Sequence, residues 1–198
     1  MMQDRKALRR EIRQQRRALS RSQQQLAGRQ LAQQLSRQIW FRRARHIALY
    51  LPNDGEIDTR PIIALCRRQR QHLYLPVLHP VRHNRLWFTP YTRKTPMRLN
   101  RYRISEPVPT GQPRRPAFAL DLVLMPLVAF SPGGGRLGMG GGYYDRTFAF
   151  KLAEKRLRGP RLVGLAHELQ RRDALPLEPW DVPLNAVVTD NACYGISY

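Results

Sequence analysis

The sequence predicts an α/β domain: a mainly parallel sheet flanked by helices in three Rossmann-like layers, with a basic helical segment at its N-terminus. Three observations carry that prediction. From residue 45 onward, short apolar runs alternate with amphipathic stretches, the pattern of strand–helix–strand units. LDLVLMPLVAF (120–130) is apolar almost throughout, as a strand covered on both faces must be. A glycine-dense segment, Gly133 to Gly142, follows it directly, at the strand end where open α/β sheets bind their ligands.

Residues 1–40 form a basic segment with two helical stretches. Leu8, Ile12 and Leu19 recur at near-helical spacing, with arginines on the other faces. Ser20 and Gln23 form a capping box that restarts a helix, and Leu26, Leu31, Leu35 and Ile39 continue its apolar stripe. HIALYLP (46–52) is short and apolar enough for a buried strand. DTRPIIALCRRQ (58–69) reads as a helix, with Asp58 or Thr59 as N-cap and Pro61 in its first turn. HLYLPVL (72–78) and LWFTPY (86–91) are the next strands, and residues 92–117, rich in proline and basic residues, read as a surface loop. After the strand at 120–130 and the glycine segment come a helix over YYDRTFAFKLAEKRL (143–157) and the strands RLVGLAH (161–167) and NAVVT (185–189). No internal repeat or linker divides the chain. Residues 1–198 are expected to form one domain, with residues 1–40 packed on it.

Composition narrows the function classes. A hydrophobic fraction of 42% is too high for a disordered chain, and no run of ~18 apolar residues exists to span a bilayer. MMQDRKALRREIRQQRR lacks the apolar stretch of a secretory signal and carries Asp4 and Glu11 too early for a mitochondrial leader, so a cytoplasmic location is expected. Cys66 and Cys193 fit no metal-ligand spacing and read as small buried hydrophobes. Against 14 acidic residues stand 35 basic ones, a net charge of +21. Such a surplus points to an anionic partner: nucleic acid, nucleotide phosphates, a small anion or a membrane surface.

SPGGGRLGMGGGYYDR (131–146) carries the chemistry. Glycines there adopt positive φ at little cost and let backbone N–H groups approach phosphate oxygens. Arg136 adds a fixed cation, the helix from Tyr143 aims its positive end at the same place, and Asp145 suits a magnesium ion bridging phosphates. Gly133, Gly135 and Gly138 match GxGxxG, which keeps an NAD(P)-dependent oxidoreductase in view. No helix opens at the third glycine, however, and no ribose-binding acid follows ~20 residues on. GxxxxGK[ST] is absent, which excludes a P-loop. A basic nucleic-acid-binding protein is the other alternative, although zinc-finger spacing, RNP-type aromatics and a helix-turn-helix are all missing.

RLGMGGGYYDR behind PLVAF resembles the signature of the 5-formyltetrahydrofolate cyclo-ligase, or methenyltetrahydrofolate synthetase, family. RKALRREIRQQRRALS resembles that family's N-terminal basic helix, YLPNDGEIDT its substrate motif and LPLEPWDVPLNAVVTD its C-terminal segment. The four motifs stand in the family's order, and only about 80–117 carries none of comparable strength. The resemblance implies MgATP-dependent conversion of 5-formyltetrahydrofolate to 5,10-methenyltetrahydrofolate with release of ADP and phosphate. The formyl oxygen takes the γ-phosphoryl group, N10 closes the ring and phosphate leaves. Phosphoryl transfer asks a protein mainly for positioning and charge neutralisation, which agrees with a chain that shows no obvious nucleophile.

By resemblance, Arg5, Arg9, Arg136, Leu137, Gly138, Met139, Gly140, Gly141, Gly142, Tyr143 and Tyr144 line ATP, and Arg136, Tyr144 and Asp145 act in catalysis. Leu51, Glu56, Met139, Gly140, Gly141, Gly142 and Tyr143 touch the folate, and Asp145 and Asp181 hold magnesium. The i,i+4 spacing of Arg5 and Arg9 puts them on one helical face. The family commonly has lysine at the position of Arg5, with Lys6 adjacent here, so either reaches the phosphates. A carboxylate at Glu56 matches the paired N–H donors of a pterin. Ser131 replaces the acid that the family places after Ala-Phe, and a loop adjustment without loss of activity is expected. His167 receives no role, and Tyr143, Tyr144 and Trp180 fit ligand stacking and core packing equally well. The expected ligand is a small-molecule folate, with or without a polyglutamate tail, with no nucleic-acid or membrane partner, and the chain is expected to act as a monomer. Part of the basic surplus would then steer polyglutamylated folate to the cleft.

Overall fold

The computed structural model describes residues 4–108, 111, 113–153 and 159–196. Asp4 caps α1 (Arg5–Arg17) by accepting the Lys6 N–H, and α1 buries Leu8, Ile12 and Arg16 along one stripe. The capping box expected at Ser20 forms and opens α2 (Arg21–Ser36): the Ser20 hydroxyl accepts the Gln23 N–H at 3.2 Å, and the Gln23 side chain accepts the Ser20 N–H at 2.8 Å. A short α3 (Ile39–Arg43) leads into β1 (His46–Ala48). Capping of α4 (Arg60–Arg68) is divided between two residues. Asp58 accepts the Arg60 N–H, while Thr59 at the cap position donates its hydroxyl to the Tyr50 carbonyl at 2.7 Å. Then follow β2 (His72–Leu78), β3 (Leu86–Pro90), β4 (Met97–Leu99), β5 (Ser105–Pro107), β6 (Leu122–Pro126), β7 (Ala129–Phe130), β8 (Arg136–Leu137), α5 (Tyr143–Phe148), α6 (Phe150–Ala153), β9 (Arg161–Ala166), β10 (Ala186–Thr189) and β11 (Cys193–Gly195).

The main sheet runs β11-β10-β9-β6-β1-β2-β3. Its five central strands are parallel, and β3 and β11 close the edges antiparallel. Strand alternation divides the side chains between two cores. Ile47, Leu73, Leu75, Leu122, Leu124, Val163 and Leu165 point to the face covered by α2, α3 and α4, while Ala48, Tyr74, Val123, Met125, Leu162 and Ala166 point to the face holding Phe148. This is the expected three-layer α/β architecture. β1 lies between β2 and β6, so the connections diverge from it and leave a crevice at the carboxyl ends of β1 and β6. Among the described residues, no helix is long and apolar enough to cross a membrane.

Three expected elements come out differently. The apolar run 120–130 is two strands: β6 ends at Pro126, and the Leu127 and Val128 carbonyls accept the Gln170 side-chain amide at 2.8 and 2.9 Å, after which β7 pairs with β8 in a separate sheet. Every residue of that bend from Leu127 to Phe130 is buried, so hydrophobicity alone shows no break. The helix expected over 143–157 stops at Phe148 and resumes as α6, and 154–157 lie outside the described residues. The surface loop expected over 92–117 contains the β4–β5 hairpin. Buried Glu106 fastens that hairpin to β2 by accepting the Leu78 N–H at 3.3 Å, together with Arg98 and Asn100 at 3.1 and 3.3 Å.

Gly28 lies inside α2, where glycine is normally unfavourable. A Cβ there would stand 2.8 Å from the Asp58 carbonyl oxygen and 2.9 Å from the Asp58 Cβ, so the glycine sets how closely α2 approaches the loop before α4. Gly28→Ala is expected to destabilise by about 1–3 kcal/mol despite alanine's better helix propensity. Urea titration should show a lower midpoint at unchanged slope.

Candidate functional site

A cleft of about 1090 Å³ opens at the crevice between β1 and β6. Its walls come from α1, the segment after β1, the β4–β5 hairpin, the glycine loop, and Trp180 with Asp181. Six arginines (Arg5, Arg9, Arg13, Arg17, Arg136, Arg146) and five carboxylates (Asp54, Glu56, Glu106, Asp145, Asp181) line it.

The α1 wall follows from helical spacing: Arg5, Arg9, Arg13 and Arg17 form an i,i+4 stripe facing the cleft. Arg5 pairs with Asp181 at 3.2 Å and Glu178 at 3.4 Å, and the Arg9 Nε–H donates to the Gly138 carbonyl at 2.8 Å. Lys6 is exposed and outside the lining, so Arg5 is the basic residue of the two that faces the cleft. Arg16 lies on the adjacent apolar stripe and is fully buried. It donates to the Asp54 carboxylate and the Asp54 carbonyl, both at 2.8 Å. Arg13, at 2.7 Å, and Arg17 complete a three-arginine clamp on the same carboxylate. Burial alone would raise the pKa of Asp54, but the hydrogen bonds and charges of the arginines outweigh it and hold the carboxyl at about 2.

Asp54 and Gly55 both have positive φ, 54° and 74°. They turn the chain so that the Glu56 N–H donates to the Asn53 carbonyl at 3.0 Å, and the Asn53 N–H donates to the Glu56 carboxylate at 3.1 Å. Desolvation pushes Glu56 up to about 7, against the opposing Arg16 charge and the Asn53 hydrogen bond. Leu51 lines the same wall.

The glycine loop is anchored at both ends. The β7–β8 hairpin turns over Ser131–Gly135, with the Ser131 N–H donating to the Gly135 carbonyl at 2.9 Å, so Ser131 is a buried turn residue outside the cleft lining. Leu137 turns inward to pack with Leu8, Ile12, Val128 and Ala129, and its side chain does not line the cleft. Arg136, also buried, donates to Asp145 and to the Val182 carbonyl, while the Val182 N–H donates to Asp145 at 3.1 Å. The guanidinium and the Val182 N–H thus hold one oxygen of Asp145. Gly138, Met139, Gly140, Gly141 and Gly142 form the arc that lines the cleft. Gly140 and Gly142 have φ of 98° and 64°, and Gly142 opens α5 in the left-handed conformation. Across the cleft, Asn84 donates to the Gly141 carbonyl at 2.9 Å, and the Tyr143 hydroxyl meets that of Tyr102 at 2.7 Å. Tyr144 lines the cleft and stacks on Phe148, and burial raises its phenol pKa.

These features stand where the family motifs stand, and comparison with known proteins decides the relationship. A model of the 5-formyltetrahydrofolate cyclo-ligase family matches residues 1–190. The 5-formyltetrahydrofolate cyclo-ligase of Escherichia coli K12 is 43% identical over 178 residues, 90% of this chain and 96% of that protein. The Haemophilus influenzae cyclo-ligase is 43% identical over 182 residues, 92% and 95% of the two chains. The chain belongs to the 5-formyltetrahydrofolate cyclo-ligase family. Its fold agrees: a 5,10-methenyltetrahydrofolate synthetase from Aquifex aeolicus superposes with a TM-score of 0.81 at 27% identity, covering 98% of this chain and 93% of that one. A synthetase of the same name from Mycoplasma pneumoniae gives 0.73 at 25% identity, covering 95% and 99%.

Within this cyclo-ligase framework, Arg5, Arg9, Glu56, Asp145, Asp181 and the arc of the glycine loop converge on one cleft. His167 sits at the end of β9 outside that cleft and is buried. Trp180 stands exposed on the rim. Cys66 is buried with its thiol pushed up to about 12, as a small hydrophobe requires. Sequence reasoning did not reach the Asp54 clamp, although extending the Arg5/Arg9 spacing by two turns would have placed Arg13 and Arg17 on the same face. It also did not reach Asn84 and Tyr102, which lie in the stretch without a family motif.

Asp54→Asn tests the clamp. A carboxyl held below its unfolded pKa contributes stability above that value and loses it as pH falls through the folded pKa. The variant is expected to cost about 2 kcal/mol at pH 7, with the gap to wild type closing between about pH 4 and 2. Chemical denaturation over that range measures it.

Proposed function

We propose that this chain, acting as a monomer, converts 5-formyltetrahydrofolate to 5,10-methenyltetrahydrofolate with consumption of ATP in the presence of magnesium. The observation that carries the reading is the shared cleft. The Asp145/Asp181 pair, the glycine arc with its basic helix, and Glu56 all line one space larger than the ~300–1,000 Å³ usual for a single ligand.

The residues present fit a magnesium ion. Among the described residues no cluster of three or more His, Cys, Asp or Glu forms, so an all-protein cage is not offered. A pair of carboxylates is what a magnesium–phosphate site normally draws from the protein. One oxygen of Asp145 is held by Arg136 and the Val182 N–H, and one of Asp181 by Arg5 and the Glu178 N–H at 2.9 Å. Each carboxylate keeps its other oxygen for the ion. When bound, MgATP supplies the phosphoryl group that activates the formyl oxygen, with the metal neutralising phosphate charge.

The chain itself positions and screens. The N–H groups of the glycine arc and the cations Arg5 and Arg9 receive phosphate oxygens, and Arg136 holds Asp145 in the orientation its ligand role needs. Glu56, ionised, accepts the adjacent N–H donors of the pterin, beside Leu51 and Met139. No side chain is asked to act as nucleophile, because the substrate's formyl oxygen and N10 fill that role.

The test is the absorbance of methenyltetrahydrofolate arising from 5-formyltetrahydrofolate only when magnesium and ATP are both present. Asp145→Asn and Asp181→Asn are each expected to lower kcat/KM by about 100-fold or more. Salt-sensitive nucleic-acid binding without ATP or folate affinity would overturn the reading.

A second outcome follows from Glu56. With its pKa raised to about 7, the free protein holds a proton there at lower pH, and that proton must leave before the carboxylate can accept two N–H donors. The folate KM is therefore expected to rise about tenfold per unit as pH falls below 7. In Glu56→Gln the KM should be high and flat across the same range. A wild-type KM independent of pH would remove Glu56 from the binding step.

A further inference from the structure

Tyr50 follows β1 into the segment that forms the folate side of the cleft, and it lines that cleft. Its ring is packed in the core among buried aliphatic side chains with only 4% of its surface exposed, and its carbonyl is pinned by the Thr59 hydroxyl at 2.7 Å. The phenol oxygen is nevertheless buried without a hydrogen-bond partner among the described residues. Such a group loses its water and gains nothing in exchange, and native folds rarely leave one unexplained. Its ionisable neighbours are Glu56 and Tyr144, with Arg16 and Asp58 further contributors to its field. Burial drives its pKa well above the usual value, so the hydroxyl stays protonated and can donate.

The chemistry of the missing partner follows from the neighbour, on the reading that Glu56 accepts from a pterin. The recognised edge of a pterin presents three groups in a row: the 2-amino N–H, the N3–H and the C4 carbonyl oxygen. A carboxylate takes the two donors. The next group along is an acceptor, which calls for a donor beside the carboxylate, and of the two protonated phenols near Glu56, Tyr50 and Tyr144, that of Tyr50 is the one buried without a partner among the described residues. We propose that the Tyr50 hydroxyl donates to the 4-oxo group of the pterin and so makes the cleft selective for 4-oxo over 4-amino pterins.

Tyr50→Phe removes one oxygen and keeps the ring in the core. Dissociation constants are measured for 5-formyltetrahydrofolate and for a 2,4-diamino folate analogue, with wild type and variant. The variant is expected to bind 5-formyltetrahydrofolate about tenfold more weakly and the 4-amino analogue as well as wild type or better, because that analogue offers a donor where the hydroxyl needs an acceptor. Its melting temperature should be unchanged or raised, since an unpaired buried hydroxyl has been deleted. Equal loss for both ligands, or no loss for either, overturns the assignment while the functional reading stands. A wild type that binds no 5-formyltetrahydrofolate overturns the functional reading, and this inference with it.

Discussion

The clamp of Arg13, Arg16 and Arg17 on Asp54 is the interaction on which the rest of the site depends. The apolar cluster beneath α1 is small among the described residues: Leu8 and Ile12 pack with Val128, Ala129, Leu137 and the partly buried Leu175. A fully buried guanidinium on the same stripe would be costly if left unpaired. Asp54 neutralises it, and the Asp54 carbonyl and the Leu127 carbonyl take further donors. Once α1 is fixed at this end, its regular pitch carries Arg9 to the Gly138 carbonyl and Arg5 to Asp181 at the other. The same carboxylate holds the left-handed turn that sets Glu56 on its wall. One carboxylate therefore registers the α1 and glycine-loop side of the cleft against the Glu56 side.

The sheet supplies the second constraint. Diverging connections from β1 open a crevice that needs no specialised residues to exist, and the loops after β1 and β6 inherit the duty of filling it. The glycine loop is shaped by what holds its ends. Leu137 is sunk in the core, and Arg136 is committed to Asp145 and Val182. Freedom is confined to the arc Gly138–Gly142, where positive φ at Gly140 and Gly142 makes side chains unwelcome. The β4–β5 hairpin closes the far side through Tyr102 and is itself tied down by buried Glu106.

Much of this was legible in the residues. Strand alternation, the Ser20–Gln23 capping box and the glycine segment were readable because each is a local pattern with a local physical cause. The family motifs placed Arg5, Arg9, Glu56, Asp145 and Asp181 in one cleft. What escaped was long-range. The break after Pro126 is fixed by Gln170, more than forty residues away, and all of the bend is buried. Leu137 lies inside a glycine-rich signature yet packs into the core, and Arg136, on the cleft wall, is committed to Asp145 and the Val182 carbonyl, because β8 is a strand whose side chains are claimed by α1 and Asp145. The arginines of α1 are expected on the faces away from Leu8 and Ile12, and Arg16 is the exception. Only its place beside Leu8 and Ile12, at successive turns, marks it as buried.

The near balance of charge inside the cleft has a consequence for how the protein behaves in a crowded solution. Six arginines against five carboxylates give the lining a surplus of one, while the chain carries +21, so nearly all of the excess lies off the described lining. A polyelectrolyte with an almost neutral socket gathers large anions on its outside by counterion release. Long polyanions such as RNA would coat this surface during purification and be displaced by salt. Such coating would be no measure of what the socket selects.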